Sequence, residues 1–152
     1  MLCPALSSWK IALKNKGIGA RILRIHNGHA LIYVYRQKQL EQALSQPEIQ
    51  AFLQSFGYRG FAPEAAIACL IARIEQSRSF PHEIGVFLGY PLGDIKGFIQ
   101  NCGKNYKLCG CWKVYEDAIS AQKLFKAFQD CRASFCQLFD QGCSISSLAK
   151  AA

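Results

Sequence analysis

Two runs rich in β-branched and aromatic residues, 20–25 and 29–35, are separated by His26-Asn27-Gly28-His29. Asn and Gly both accept the positive φ that a two-residue type I′ turn demands, so the chain is expected to reverse there into an antiparallel hairpin. With Asn27 and Gly28 as the loop, His26 stands opposite His29 and Leu23 opposite Ile32. Two strands cannot bury a face by themselves. The rest of the chain must therefore cover them, and it does so with helical patterns.

Leu6, Trp9, Ile11 and Leu13 give residues 3–16 the look of a short helix or docked arm ending near Gly17. A short helix is expected over 38–44. Ser45 and Glu48, around Pro47, have the spacing of a capping box and open a second helix with Ile49, Phe52, Leu53 and Phe56, stopped by Gly57. A third starts at Pro63-Glu64 and carries Ile67, Leu70, Ile71 and Ile74 toward a core. Residues 80–91 read either as an alternating strand or as a short helix running into a turn at Gly89. Pro91 then opens a helix through Ile95, Phe98 and Ile99. By composition 108–115 is a strand, and Asp117 is the N-cap of a long helix with a stripe of Ala121, Leu124, Phe125, Phe128, Cys131, Phe135 and Leu138. Residues 142–152 add a last short helix. No repeat, linker or composition break interrupts the 152 residues, a length that buries about 70% of the unfolded surface. The fold expected is α+β: a single globular domain, 1–152, with a small, mainly antiparallel sheet (hairpin about 20–35 plus strand about 108–115) covered by helices.

Eighteen Lys and Arg against ten Asp and Glu give a net charge of +8. The surplus is spread along the chain and nowhere forms a run of five like charges, so it reads first as a solvated face and only second as a nucleic-acid footprint. Eight cysteines in 152 residues fall short of a secreted disulfide scaffold. The first ten residues lack the basic and apolar regions of a signal peptide, and no apolar run is long enough to span a membrane. A cytoplasmic protein with free thiols, most of them small core residues, is the expectation.

The segment 108–115 is where chemistry is easiest to place. A period of two sets Leu108, Trp112 and Val114 on one face and Cys109, Cys111, Lys113 and Tyr115 on the other. An ammonium beside a thiol stabilises the thiolate and makes it a better nucleophile or ligand. The plainer alternative is that the cysteines pack under a helix while Lys113 reaches solvent. A four-cysteine zinc site is disfavoured because Cys131 and Cys136 point about 140° apart on a helix. His82 and Glu83 are further candidates, but neighbours in sequence do not face one partner. His82 with Asp94, or with the thiol face, stays open. His-Glu-x-x-His, Walker, dinucleotide and Gly-x-Ser-x-Gly motifs are all absent from the sequence, which removes the common named chemistries.

Ile84, Gly85, Leu88, Gly89, Leu92, Ile95 and Phe98 also have the spacing of a helix-turn-helix over 84–99. Its reading face would hold Gly93, Lys96, Gly97 and Gln100, with no Arg to offer guanine.

Phe80 to Ile99 (FPHEIGVFLGYPLGDIKGFI), Asn105 to Asp117 (NYKLCGCWKVYED) and Tyr33-Val34-Tyr35-Arg36 leading into Lys38-Gln39-Leu40-Glu41 resemble the small bacterial family called domain of unknown function 3793. The likeness runs nearly end to end. The family has no established activity, so the resemblance implies no reaction. It does imply weight for His82, Glu83, Gly85, Gly89, Tyr90, Pro91, Asp94, Trp112, Lys113, Val114 and Tyr115, which match its pattern, with cysteines often at the positions of Cys111 and Cys131. Cys109, Cys136, His26 and His29 are less typical of it, Gln37 replaces a usual proline, and Gly93 replaces a common acidic residue.

The leading functional expectation is one thiol-bearing cleft where the 82–94 segment meets the 108–115 face. Cys111 would be the thiolate, Lys113 its electrostatic partner or anion clamp, His82 a base or ligand, Tyr115 a hydrogen-bond donor, and Asp94 a partner of His82. The cleft would bind or transform a small anionic, redox or metal-containing ligand, with no resident metal and the cofactor left open. Alternatives are a nucleic-acid-binding or regulatory module using 84–99, and an adaptor whose helices dock a partner protein. The adaptor reading expects a contiguous exposed apolar patch.

Overall fold

The reversal at Asn27 and Gly28 forms, with φ of 48° and 76° at the two loop residues. It joins β1 (Ile18–His26) to β2 (His29–Arg36) as an antiparallel pair in which His26 faces His29. Leu23 does not face Ile32. The register shifts between Ile22, which is opposite Ile32, and Arg24, which is opposite Leu31, so Leu23 is the extra residue of a bulge. Strict alternation from the buried Ala20 would send Leu23 outward beside Arg21. The inserted residue re-phases the strand, and Leu23 ends in the core.

The computed structural model describes residues 11–77 and 80–149. They form an α+β protein with two antiparallel two-stranded sheets packed against helices. The residues group into two compact units, one reaching to Ile84 and taking in Ala149, the other Gly85–Leu148. The expected single sheet is therefore two, because 108–115 pairs with itself and not with the hairpin.

In the first unit residues 11–14 are helical and Gly17 turns the chain with φ 68°. The expected arm over 3–10 lies outside the described residues. Helix α1 (Gln37–Leu44) follows β2 directly, and Gln37 N–H donates to Gly17 O at 2.9 Å across the open end of the hairpin. The capping box does not form: Ser45 closes α1, its hydroxyl donating to Gln42 O at 2.8 Å, and Gln46 caps α2 (Pro47–Gln54) without a side-chain bond. The gap between the helices is too short to leave Ser45 free for the second. Helix α3 (Pro63–Gln76) packs against β1 and α1 and buries Ala66, Ile67, Leu70 and Ile74. Tyr33 and Tyr35 of β2 are buried, while Ile32 and Val34 on its other face are exposed.

Of the two readings of 80–91, the short helix running into a turn at Gly89 forms, over Ile84–Phe87. Helix α4 (Ile84–Phe87) runs into Gly89, φ 74°, and α5 (Leu92–Gln100) follows with Pro91 as its N-cap. Helix α6 (Ala118–Asp140) starts where expected, with the Asp117 carboxylate accepting from Ser120 N–H at 3.0 Å. Hydrogen bonds from Ser120, side chain first and backbone second, hold that carboxyl below its ordinary value. Its long stripe is not core, however. Only Ala121 and Phe125 are buried, against Val114, Trp112 and Leu108. Helix α7 (Ile145–Leu148) is the short last helix, and 150–152 lie outside the described residues. Among the described residues no helix is long and apolar enough to cross a membrane.

Candidate functional site

Residues 108–115 are a tight hairpin, not one strand. β3 (Leu108–Cys109) and β4 (Lys113–Val114) pair antiparallel, Leu108 opposite Val114 and Cys109 opposite Lys113, and 110–112 make the turn. A Cβ on Gly110 would run into the Phe125 ring, so glycine lets α6 close over the turn. The reversal removes the expected two-faced arrangement. Lys113 shares a register position with Cys109, not a strand face with Cys111, and Cys111 is exposed at the turn. The Lys113 ammonium donates to Gly103 O at 2.7 Å and lies 4.9 Å from the Tyr106 ring centroid and 5.8 Å from that of Phe98. It holds the 101–107 loop.

Asp94, on the first turn of α5, is buried at 3% exposure. Its Oδ2 accepts the indole N–H of Trp112 at 2.7 Å, and its Oδ1 accepts the backbone N–H of Tyr115 at 2.7 Å and of Glu116 at 3.0 Å. Three N–H donors converge on one buried carboxylate, which ties the end of the hairpin to the helix. Trp112 is stacked on Tyr90 at 4.8 Å and meets Phe125 edge-on at 4.6 Å. The Tyr90 hydroxyl donates to Cys111 O at 3.3 Å, and burial first, the neighbouring Cys111 side chain second, pushes that phenol up.

Glycines on α5 make the approach possible. A Cβ at Gly97 would lie 2.5 Å from Tyr115 Cγ, and one at Gly93 would overlap the Glu116 carboxyl group. The Tyr115 hydroxyl is buried with no hydrogen-bond partner among the described residues, and desolvation, then Tyr106 and Asp94, raises its pKa. Of the four residues expected on a helix-turn-helix reading face, Gly97 is buried under Tyr115 and Gly93 is packed on Glu116, which leaves Lys96 and Gln100 exposed.

In the first unit His82 is exposed while Glu83, at 1%, is buried. Glu83 Oε1 accepts from Arg73 Nε in a close ion pair and from the Tyr58 hydroxyl at 3.4 Å. Arg73 Nη1 donates to Phe56 O at 2.9 Å, and its guanidinium lies over the Phe56 ring. Burial, then the Glu83 charge, pushes the Tyr58 phenol up; burial also pushes up the thiol of Cys69, against the pull of Arg73.

Of the five candidate residues, Asp94, Cys111, Lys113 and Tyr115 belong to the second unit and His82 to the first. Asp94 is a clasp held by backbone and indole donors. The thiols are not core residues: Cys102, Cys109, Cys111, Cys131 and Cys136 are exposed and Cys69 and Cys143 half-buried. Turn tips and the open face of α6 put them there. Among the described residues no group of three or more His, Cys, Asp and Glu side chains is placed to hold a metal ion. Sequence reasoning missed the Arg73 and Tyr58 partners of Glu83, for which no local pattern exists. It also missed the close approach at Gly93 and Gly97, which the four-residue glycine spacing signals.

Fold and site together define a small α+β protein whose polar interior groups clasp one element to another. The chain belongs to the family described as Protein of unknown function (DUF3793), whose model matches residues 2–149, nearly the whole chain. No curated protein and no solved structure matches it.

Proposed function

We propose that the protein is an interaction module that docks a partner through the apolar face of α6. One observation carries this reading: Leu124, Phe128, Phe135, Leu138 and Phe139 stand 40–51% exposed along a single 23-residue helix. Scattered surface apolar residues are ordinary, but a contiguous row of large ones marks a surface that is covered in use. The groups expected to do chemistry are meanwhile engaged in holding the fold, as Asp94 and Lys113 are. Phe128→Glu and Phe135→Glu, measured in dilute solution, should leave the circular dichroism and urea midpoint unchanged and weaken binding of an apolar dye. A loss of about 3–5 kcal/mol, the cost of a core aromatic, would show that the stripe is core and sink the proposal.

A second reading rests on Cys109 and Cys111, exposed on either side of Gly110 at the hairpin tip. An accessible pair of thiols there suits a small redox or metal-containing ligand. In that case Cys111→Ser abolishes ligand capture with native stability retained. Alkylation of Cys111 no faster than that of Cys102, which is also exposed, removes this reading.

A further inference from the structure

The exposed face of α6 has a spacing of its own. Leu124, Phe128, Cys131, Phe135 and Leu138 follow one another at intervals of four, three, four and three residues. That is the a/d repeat by which two helices mesh their side chains, with Phe128 and Phe135 at a and Leu124, Cys131 and Leu138 at d. At 100° per residue the five fall within an arc of about 80°. All five are exposed. The flanking e and g positions are Phe125, Arg132 and Phe139 on one side and Ala127, Ser134 and Gln141 on the other, so they carry one charge. Lys126 and Asp130 pair with each other at 3.4 Å on the far side of the helix.

We propose that this seam pairs two copies of the chain, α6 against α6 in parallel, with Cys131 as the middle rung. The inference rests on the interaction reading above and names the occupant. A repeating seam needs a partner with the same repeat. Among the described helices α6 alone is long enough to carry it, since α3, the next longest, has 14 residues and buries its stripe. Two-fold pairing sets Leu on Leu, Phe on Phe and Cys on Cys, and buries no charge. The row reads Leu-Phe-Cys-Phe-Leu, with the smallest side chain in the middle, so the helices approach most closely at their centre.

Arg132 decides the direction. In an antiparallel pair e positions face e positions, and centring on Cys131 brings the two Arg132 side chains together. In a parallel pair e faces g, and Arg132 meets Ala127. Five rungs are fewer than a free-standing coiled coil uses. The pair is therefore reversible, although α6 is already formed and its ordering adds no further cost.

Sedimentation velocity of the full chain across a concentration series tests the pairing. A monomer–dimer equilibrium is expected, lost in Phe128→Glu/Phe135→Glu and retained in Val34→Lys on the exposed hairpin face. A mild copper oxidant, which accepts the two electrons released as two thiols join and lose their protons, should link the dimer through Cys131. Cys131→Ser then abolishes the link and Cys136→Ser does not. In a Cys131→Ser background, Leu124→Cys restores it in the parallel arrangement; failure to do so overturns the direction.

A monomer at every concentration, or cross-links spread evenly over the exposed cysteines, overturns self-pairing. If the monomer still binds an apolar dye and loses it on Phe128→Glu, the docking reading survives without this one. If Phe128→Glu unfolds the monomer, both fall.

Discussion

The carboxylate of Asp94 accepts the indole N–H of Trp112 at 2.7 Å, and the same indole is stacked on Tyr90 and meets Phe125 edge-on. Asp94→Ala leaves the indole and two backbone N–H donors without their acceptor, at an expected cost of about 2–4 kcal/mol. Asp94→Asn keeps the two backbone bonds but turns an amide N–H toward the indole N–H, donor against donor. It should therefore be less harmful in a Trp112→Phe background than in the wild type. Urea unfolding followed by tryptophan fluorescence measures the cycle, and strictly additive effects would deny the coupling.

Arg73 and Glu83 form a pair with one partner buried at 1% and the other open to solvent at 30%. Removing the cation is expected to cost about 3–5 kcal/mol, because Arg73→Met leaves the Glu83 carboxylate in the interior with the Tyr58 hydroxyl, 3.4 Å away, as its remaining side-chain donor among the described residues. Replacing both, as Arg73→Met/Glu83→Leu, should recover most of that loss. Urea titrations of the single and double variants are compared directly, and a double variant as weak as Arg73→Met alone counts against it.

Gly97 lies within a helix, where Ala is normally better by about 1 kcal/mol. Here the sign reverses, because a methyl group at 97 would sit 2.5 Å from Tyr115 Cγ. Gly97→Ala is expected to lose about 1–3 kcal/mol through the forced shift of the ring, whereas at an open helical position the same change would stabilise. A rise in melting temperature would show that the helix and Tyr115 are not in contact.

The phenols of Tyr58 and Tyr33 are both pushed up, by burial first and then by Glu83 and Tyr35 respectively. A raised folded pKa means that the unfolded chain releases these protons first. Their contribution to stability is therefore full below the ordinary value of 10.0 and declines as the pH rises above it. Tyr58→Phe should flatten the alkaline limb of a stability–pH profile, and an unchanged limb would place the titration elsewhere.

Native alkylation, followed by mass spectrometry, should modify Cys102, Cys109, Cys111, Cys131 and Cys136 ahead of Cys143 and Cys69. Cys69 comes last, since burial raises its thiol pKa and limits access. Protection of Cys131 that grows with protein concentration is the added signature of α6 pairing. A fast Cys69 would contradict its placement beside the Arg73–Glu83 pair.

Local signals carried much of the fold. Asn27-Gly28 placed the first hairpin, Pro47, Pro63 and Pro91 marked helix starts, and Asp117 capped α6 as its side chain and position require. Each acts over a few residues of backbone, so each is visible in the chain as written. The candidate site was legible only as a set of names. Asp94, Lys113 and Tyr115 do gather in one unit, yet 108–115 turns back at Gly110, and that turn decides which side chains meet.

The class of elements, their order and most of their starts follow from short stretches of chain, because turn chemistry, capping and periodicity are properties of neighbouring residues. Tertiary structure alone decided that Leu23 enters the core through a bulge, that Glu83 finds Arg73 ten residues away, and that Asp94 is a clasp. It also decided that the stripe of α6 faces outward. Periodicity shows that a helix has an apolar face; whether that face is covered depends on which other surfaces the folded chain has left to bury against it.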